Sequence, residues 1–212
     1  IEDLCFDCPT IAKPRTVITK KLLTMKAKLS VSVLALLLAF AVQAQPTGNP
    51  VVQTILSGYS AKNFIAEPVS EHDINLILEC GIKAPSARNS QLWKFTVIKD
   101  ESLISPVVRF AKPGNVIIIV SGAETTSEGM NVDFDCALAT ENMYVAAQGL
   151  GLGAHIYTGP VRSINAKKQD YQIPEGYRPV SVLQIGHMDT GADAVSAASS
   201  RKSKEELVNY GK

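Results

Sequence analysis

The run Asn115 to Ser121, NVIIIVS, is apolar and β-branched at every position from Val116 to Val120. Side chains of a strand alternate between the two faces of its sheet, so a strand without polar alternate positions is buried on both faces. A chain containing such a strand must cover two sides of a sheet at once. The expected architecture is an α+β domain with a central sheet flanked by helices.

The flanking sequence supplies those elements. Val52, Ile55 and Leu56 suggest a short helix after the Pro/Gly/Asn segment 45–50. In VSEHDINLILECGIKAP, Ser70 with Asp73 resembles a capping box, Ile74, Ile77, Leu78 and Ile82 recur at helical spacing, and Pro85 ends the pattern. Residues 92–99 read as a strand with Trp93, Phe95 and Val97 on one face. Residues 102–111 read as a short helix interrupted by Pro106. The longest predicted helix runs from Asp133 to Leu150, and its many alanines let another element approach closely. A strand over 154–157, a helix over 161–168 begun by Pro160 and a strand over 180–185 complete the order. An Ala/Ser/Gly-rich linker, 190–200, then leads to the charged tail SRKSKEELVNYGK.

Ahead of this domain, Met25 opens MKAKLSVSVLALLLAFAVQAQ, where two lysines precede an apolar run and Val42-Gln43-Ala44 stands before Gln45. That is the layout of a secretory signal peptide. The apolar run is shorter than the roughly 20 residues of a membrane-spanning helix. Residues 25–44 are therefore read as the signal peptide, 1–24 as a mis-extended start and 45–212 as the mature domain, exported unfolded because the n-region lacks a twin arginine. The expected location is the periplasm, with no stable membrane association. Residues 45–212 carry 15 Lys and Arg against 17 Asp and Glu, a balance without the basic footprint of a nucleic-acid binder. The Cys5-x-x-Cys8 pair has no second pair to complete a zinc site. Cys80 and Cys136 fall in apolar helical patterns and are read as buried free thiols, although export also permits a disulfide.

Three polar clusters could carry chemistry. The first is the stretch from Pro85 through Ser86, Arg88, Asn89, Ser90 and Gln91, whose amides offer donors and acceptors suited to the edge of a heterocycle. A turn that satisfies its own backbone is the equally good alternative. In the second, Ser60 and Lys62 could share a phosphate, or form a solvated loop. In the third, Arg201, Lys202 and Lys204 form a basic group, or a solvated helix start. Gly149, Gly151 and Gly153 are not a dinucleotide fingerprint, because they close a helix and precede a strand instead of following a strand and opening a helix. His72, His155 and His187 have no ligand partners at metal spacing, and Ser86 lacks a nucleophile-elbow context.

Taken in order, these segments resemble the nitroreductase family of flavin mononucleotide (FMN) enzymes. Gly58 to Phe64 is similar to R-x-S-x-[RK]-x-F, and Ala84 to Trp93 to A-P-S-x-x-N-x-Q-x-W with Leu92 in place of a frequent proline. Asp135, Ala139, Asn142, Ala146, Ala147 and 150–153 resemble D-x-x-x-A-x-x-N-x-x-x-A-A followed by L-G-L-G. The resemblance implies a mostly antiparallel central sheet and an intertwined homodimer with two FMN sites at its interface, the C-terminal extension embracing the partner. It implies that Ser60 and Lys62 contact FMN, that Pro85, Ser86 and Asn89 line it, that Thr158 and Gly159 pass close to its ring, and that Arg201 and Lys202 supply phosphate charge. The implied activity is two-electron transfer from NAD(P)H or another donor to a nitroaromatic, quinone or similar small acceptor, with no catalytic side chain and no metal. A catalytically degenerate flavin-binding or structural dimer is the alternative.

Two departures bear on these expectations. Gly58 stands where the family commonly has arginine, removing one phosphate cation and predicting weaker FMN retention. The span between Trp93 and Asp135 is short, leaving out helices that cover the flavin in larger members and predicting a more open site.

Overall fold

The computed structural model describes residues 48–189 and 200–211. The signal-peptide and upstream readings, and most of the 190–200 linker, lie outside the described residues.

Four strands form one sheet in the order β1-β2-β4-β3, with every neighbouring pair antiparallel. They are β1 (Trp93–Ile98), β2 (Val116–Ala123), β3 (Gly153–Tyr157) and β4 (Tyr177–Gly186). As the NVIIIVS run requires, β2 is interior and Val116 to Val120 are buried. Its side chains divide between two cores. Val116, Ile118 and Val120 join Trp93, Leu183 and Ile185 beneath the helices α2 (Glu71–Ile82) and α4 (Val132–Gly149). Ile117 and Ile119 join Ile98 and Val182 beneath α3 (Glu101–Ile104), α5 (Val161–Asn165) and the turns beside them.

Small residues set the depth of α4. Ala139 and Ala147 lie flat on the sheet with Cys136 and Met143, while Leu138, Tyr144 and Val145 stay half-buried and Phe134 is 59% exposed. The helix ends in a Schellman motif: Gly151 adopts φ +79, its N–H donates to the Gln148 carbonyl at 3.0 Å, and Leu152 N–H donates to Ala147 at 2.9 Å. At the start of α2, Ser70 Oγ accepts from Asp73 N–H at 3.0 Å and donates to Asp73 Oδ2 at 2.7 Å, an N-cap in which the Asp73 carboxylate bonds the serine hydroxyl and not its backbone N–H.

Two expectations are corrected. Ile82 is 53% exposed, the last residue of a helix whose buried face ends at Gly81. Cys80 is exposed and Cys136 buried, so only one of the two free thiols is covered. The first helix among the described residues, α1 (Pro50–Ser57), has no buried residue at all: Val51, Ile55 and Leu56 are 61%, 56% and 75% exposed. Together with Leu76, Cys80, Val145 and Ala146, Val51 and Ile55 line an open apolar groove of about 580 Å³.

Near the chain's end, α6 (Lys204–Leu207) is closed by a capping box between Ser203 and Glu206, and residues 200–211 are exposed throughout. Among the described residues no helix is long and apolar enough to cross a membrane.

Candidate functional site

The segment carrying Ser60 and Lys62 lies against the outer edge of β3. Ala61 N–H donates to the Ala154 carbonyl at 2.9 Å, and the Ala61 carbonyl accepts from His155 Nδ1 at 2.8 Å. A carbonyl can only accept, so Nδ1 carries the hydrogen and Nε2 keeps its lone pair. Further along, Phe64 bridges to Met188, and Ile65 N–H donates to the His187 carbonyl. The close approach depends on Gly153: a Cβ there would stand 2.5 Å from Met188, 2.9 Å from Ala61 and 3.0 Å from Phe64. Ser60 is half-buried and Lys62 exposed. His155 stacks on Tyr157 with ring centroids 4.4 Å apart; burial, then the Lys62 charge, lower its pKa, although its hydrogen bond to Ala61 works the other way. Tyr157 donates to Gln184 Oε1 at 2.9 Å, and burial pushes its phenol up to about 12.

Gly58, the departure from the expected arginine, has a structural counterpart. A Cβ at this position would lie 2.4 Å from Gln148 Oε1, so the α4 glutamine occupies the space a side chain would take. Gln148 Nε2 is buried without a partner among the described residues, at a cavity of about 380 Å³ lined also by Thr54, Ser57, Tyr59 and Met188. Sequence reasoning did not single out Gln148 because it lies far from Gly58 along the chain.

The polar stretch after Pro85 forms a second cluster. Ser86 is extended and precedes a 3-10 turn over Ala87–Asn89; its Oγ accepts from Gln91 N–H at 3.1 Å, while Gln91 Nε2 donates to Asn89. Arg88, Asn89 and Gln91 have φ of 56, 55 and 50, three non-glycine residues in the left-handed region within four positions. Each such residue costs on the order of 1 kcal/mol or more, and such strain gathers at ligand-binding sites. The loop thus does close hydrogen bonds on itself, but at a conformational cost a plain turn would avoid. Both Asp135 oxygens accept from Ala87 N–H, at 3.2 and 3.1 Å, tying the loop to α4. Asp135, Pro85 and Ser86 line a cavity of about 380 Å³ with Phe134 and Leu138.

These two clusters do not meet within one chain. The Ala87 contact is at Asp135 and the Gly58 contact at Gln148, and residues 135 to 148 of α4 rise through roughly 20 Å. The clusters also flank opposite edges of the sheet, one beside β3 and the other leading into β1. Thr158 and Gly159 are exposed at the far end of β3, roughly 13 Å along the strand from Ala154. Arg201 and Lys202 are exposed on the segment before α6. No group of His, Cys, Asp and Glu able to hold a metal occurs among the described residues.

Comparison with known proteins places this arrangement. The sequence profile of the nitroreductase family matches residues 55–113. A protein of Archaeoglobus fulgidus named "Putative NADH dehydrogenase/NAD(P)H nitroreductase" is 30% identical over 147 residues, spanning 64% of this chain and 84% of that protein. An NADPH-flavin oxidoreductase of Vibrio harveyi is 24% identical over 66% of this chain and 67% of its own length. Among solved structures, a "putative nitroreductase in complex with fmn" from Desulfovibrio desulfuricans superposes with a TM-score of 0.65 at 27% identity, covering 78% of this chain and 99% of that one. A nitroreductase with bound FMN from Bacteroides fragilis gives the same TM-score at 19% identity over 77% of this chain and 100% of that one, a likeness of fold. By its fold and by its relative in Archaeoglobus, this chain belongs to the nitroreductase family.

Proposed function

We propose that this protein is an FMN-dependent oxidoreductase that moves two electrons from a reduced nicotinamide, or another donor, to a nitroaromatic, quinone or similar small acceptor. It works as a homodimer with two FMN sites, each assembled from both copies. The observation that carries the reading is the separation of the two polar clusters by roughly 20 Å along α4. A ligand that uses both must take one from each of two chains. The apolar groove of α1, α2 and α4 supplies a surface for the second copy to cover.

The residues present suit FMN in most respects. Ser60 offers a hydroxyl and Lys62 an ammonium to the phosphate or pyrimidine side. Pro85, Ser86 and Asn89 of the other copy line the ligand from a loop already held in a strained shape. Thr158 and Gly159 present backbone at the end of β3, and Arg201 with Lys202 adds positive charge from the tail. When bound, FMN supplies a ring that accepts a hydride and passes the electron pair on. Lys62 then favours negative charge that develops near it, beside His155, whose pKa burial lowers. Gly58 is the exception: it brings no cation, and the Gln148 amide fills the space a side chain at this position would enter.

Residues 25–44 support export, so the protein is expected to acquire FMN outside the cytoplasm and to draw on a donor available there. The test is to purify the exported chain, denature it and assay the supernatant for FMN, with a parallel sample given FMN beforehand and its mass measured by light scattering. About one FMN per chain in a dimer is the expected result. A protein that takes up no flavin even when supplied would overturn the proposal.

A further inference from the structure

We propose that Asp135 is a positioning residue of the flavin site, fixing where the Pro85–Gln91 loop stands against α4 through the Ala87 N–H. The inference rests on the FMN reading above and extends it to a residue outside the expected set of ligand contacts. Asp135 is only 4% exposed, and its side chain lines the same cavity as Pro85 and Ser86. A carboxylate has about four acceptor sites. Here both oxygens converge on one backbone N–H, at 3.2 and 3.1 Å.

The other hydrogen bonds found in the loop are internal. Asn89 N–H donates to the Ser86 carbonyl at 3.0 Å, Ser90 N–H to Ala87 at 3.0 Å, Gln91 N–H to Ser86 Oγ, and Gln91 Nε2 to Asn89. Internal bonds can hold a loop's shape but cannot set where it stands against the rest of the protein. The Asp135 contact does so, from the first turns of a helix whose buried side is seated on the sheet. It fixes the amide directly after Ser86 and two residues before Asn89, the two side chains the FMN reading needs most from this loop. Burying a carboxyl group for a single neutral donor is a poor way to gain stability. Placement is the gain that this geometry offers.

The test uses the full chain with D135N, D135A and A87P. D135N retains a carbonyl oxygen that can accept from Ala87, D135A removes the acceptor, and A87P removes the donor at a position where proline tolerates the start of a turn. In D135A and A87P, amide hydrogen exchange should quicken at residues 86–91 and not across the sheet. The FMN dissociation constant should rise at least tenfold in both, with the double variant no worse than either. D135N should restore slow exchange and stay within about threefold of the unmodified chain.

Unchanged exchange at 86–91 in D135A would overturn the proposal. So would faster exchange throughout the domain, or a D135N variant as impaired as D135A. If D135A does not fold, A87P and D135N decide the matter by the same readouts. The exchange comparison needs no flavin. Absence of FMN binding by the unmodified chain would sink the functional reading, while the exchange data would still judge the positioning role.

Discussion

His155 donates through Nδ1 to the Ala61 carbonyl while burial and the nearby Lys62 lower its pKa below the ordinary histidine range. Its proton therefore binds the unfolded chain more readily than the folded one. Well above the ordinary histidine pKa of about 6.5 both states are neutral at this residue; as pH falls through that value the unfolded state gains protons first, and stability declines until the lowered folded-state pKa is passed. Thermal melts from pH 8 to pH 5 should show this decline in the unmodified protein and a smaller one in H155Q; identical profiles would contradict the assignment. Gly58 allows a second test, because Gln148 is a flexible side chain that can yield to a larger neighbour. A charge-assisted contact contributes about 1.5 to 3 kcal/mol, so G58R should tighten FMN binding roughly ten- to a hundredfold by equilibrium titration. An unchanged dissociation constant would mean that position 58 does not face the ligand. Cys136 is buried, with its thiol pushed up to about 12 by burial and then by Asp133 and Asp135. Since the thiolate is the reactive form, iodoacetamide at pH 8 should modify Cys136 only after unfolding, as read by peptide mass spectrometry.

At the scale of elements, the edge of β3 shows what sequence could and could not convey. The GLGLGAH stretch reads correctly as a helix end before a strand, because glycine at a left-handed C-cap leaves a local signature. The reason for Gly153 is not local: it admits Ala61, Phe64 and Met188. G153A should cost about 1 to 3 kcal/mol by urea denaturation through overcrowding, and should also loosen the Ser60–Lys62 segment. Loss of stability without faster amide exchange at 60–64 would argue that the strain is relieved elsewhere. The loop after Pro85 was visible as a dense polar run, yet Arg88, Asn89 and Gln91 give little sign of positive φ, since glycine is the usual marker. Its anchor, Asp135, lies 48 residues away, and contacts at that range leave no periodicity to read. The helical spacing of α1 was legible too, but spacing alone does not say what an apolar face meets. Among the described residues, nothing buries Val51, Ile55 or Leu56.

For the whole molecule, those exposed residues lead to the proposed dimer. I55E and L56E should each shift light-scattering mass from two chains toward one and weaken FMN binding together with it, because neither chain alone brings both clusters to one ligand. A monomer that binds FMN as tightly as the unmodified protein would refute the shared site. The central strand has a different consequence. Val116 to Ser121 contains no charge and no proline, and in the folded protein every one of these residues is hidden between β1 and β4. Before folding, the same stretch matches the short, uncharged, β-prone segments that stack between chains into cross-β aggregates. Lys112, Pro113 and Gly114 guard its leading side, but no charged residue follows until Glu124. On the proposed export route, a chain delivered unfolded would race its own aggregation until β2 acquires both neighbours; in refolding from denaturant, the yield of native protein should fall steeply as chain concentration rises.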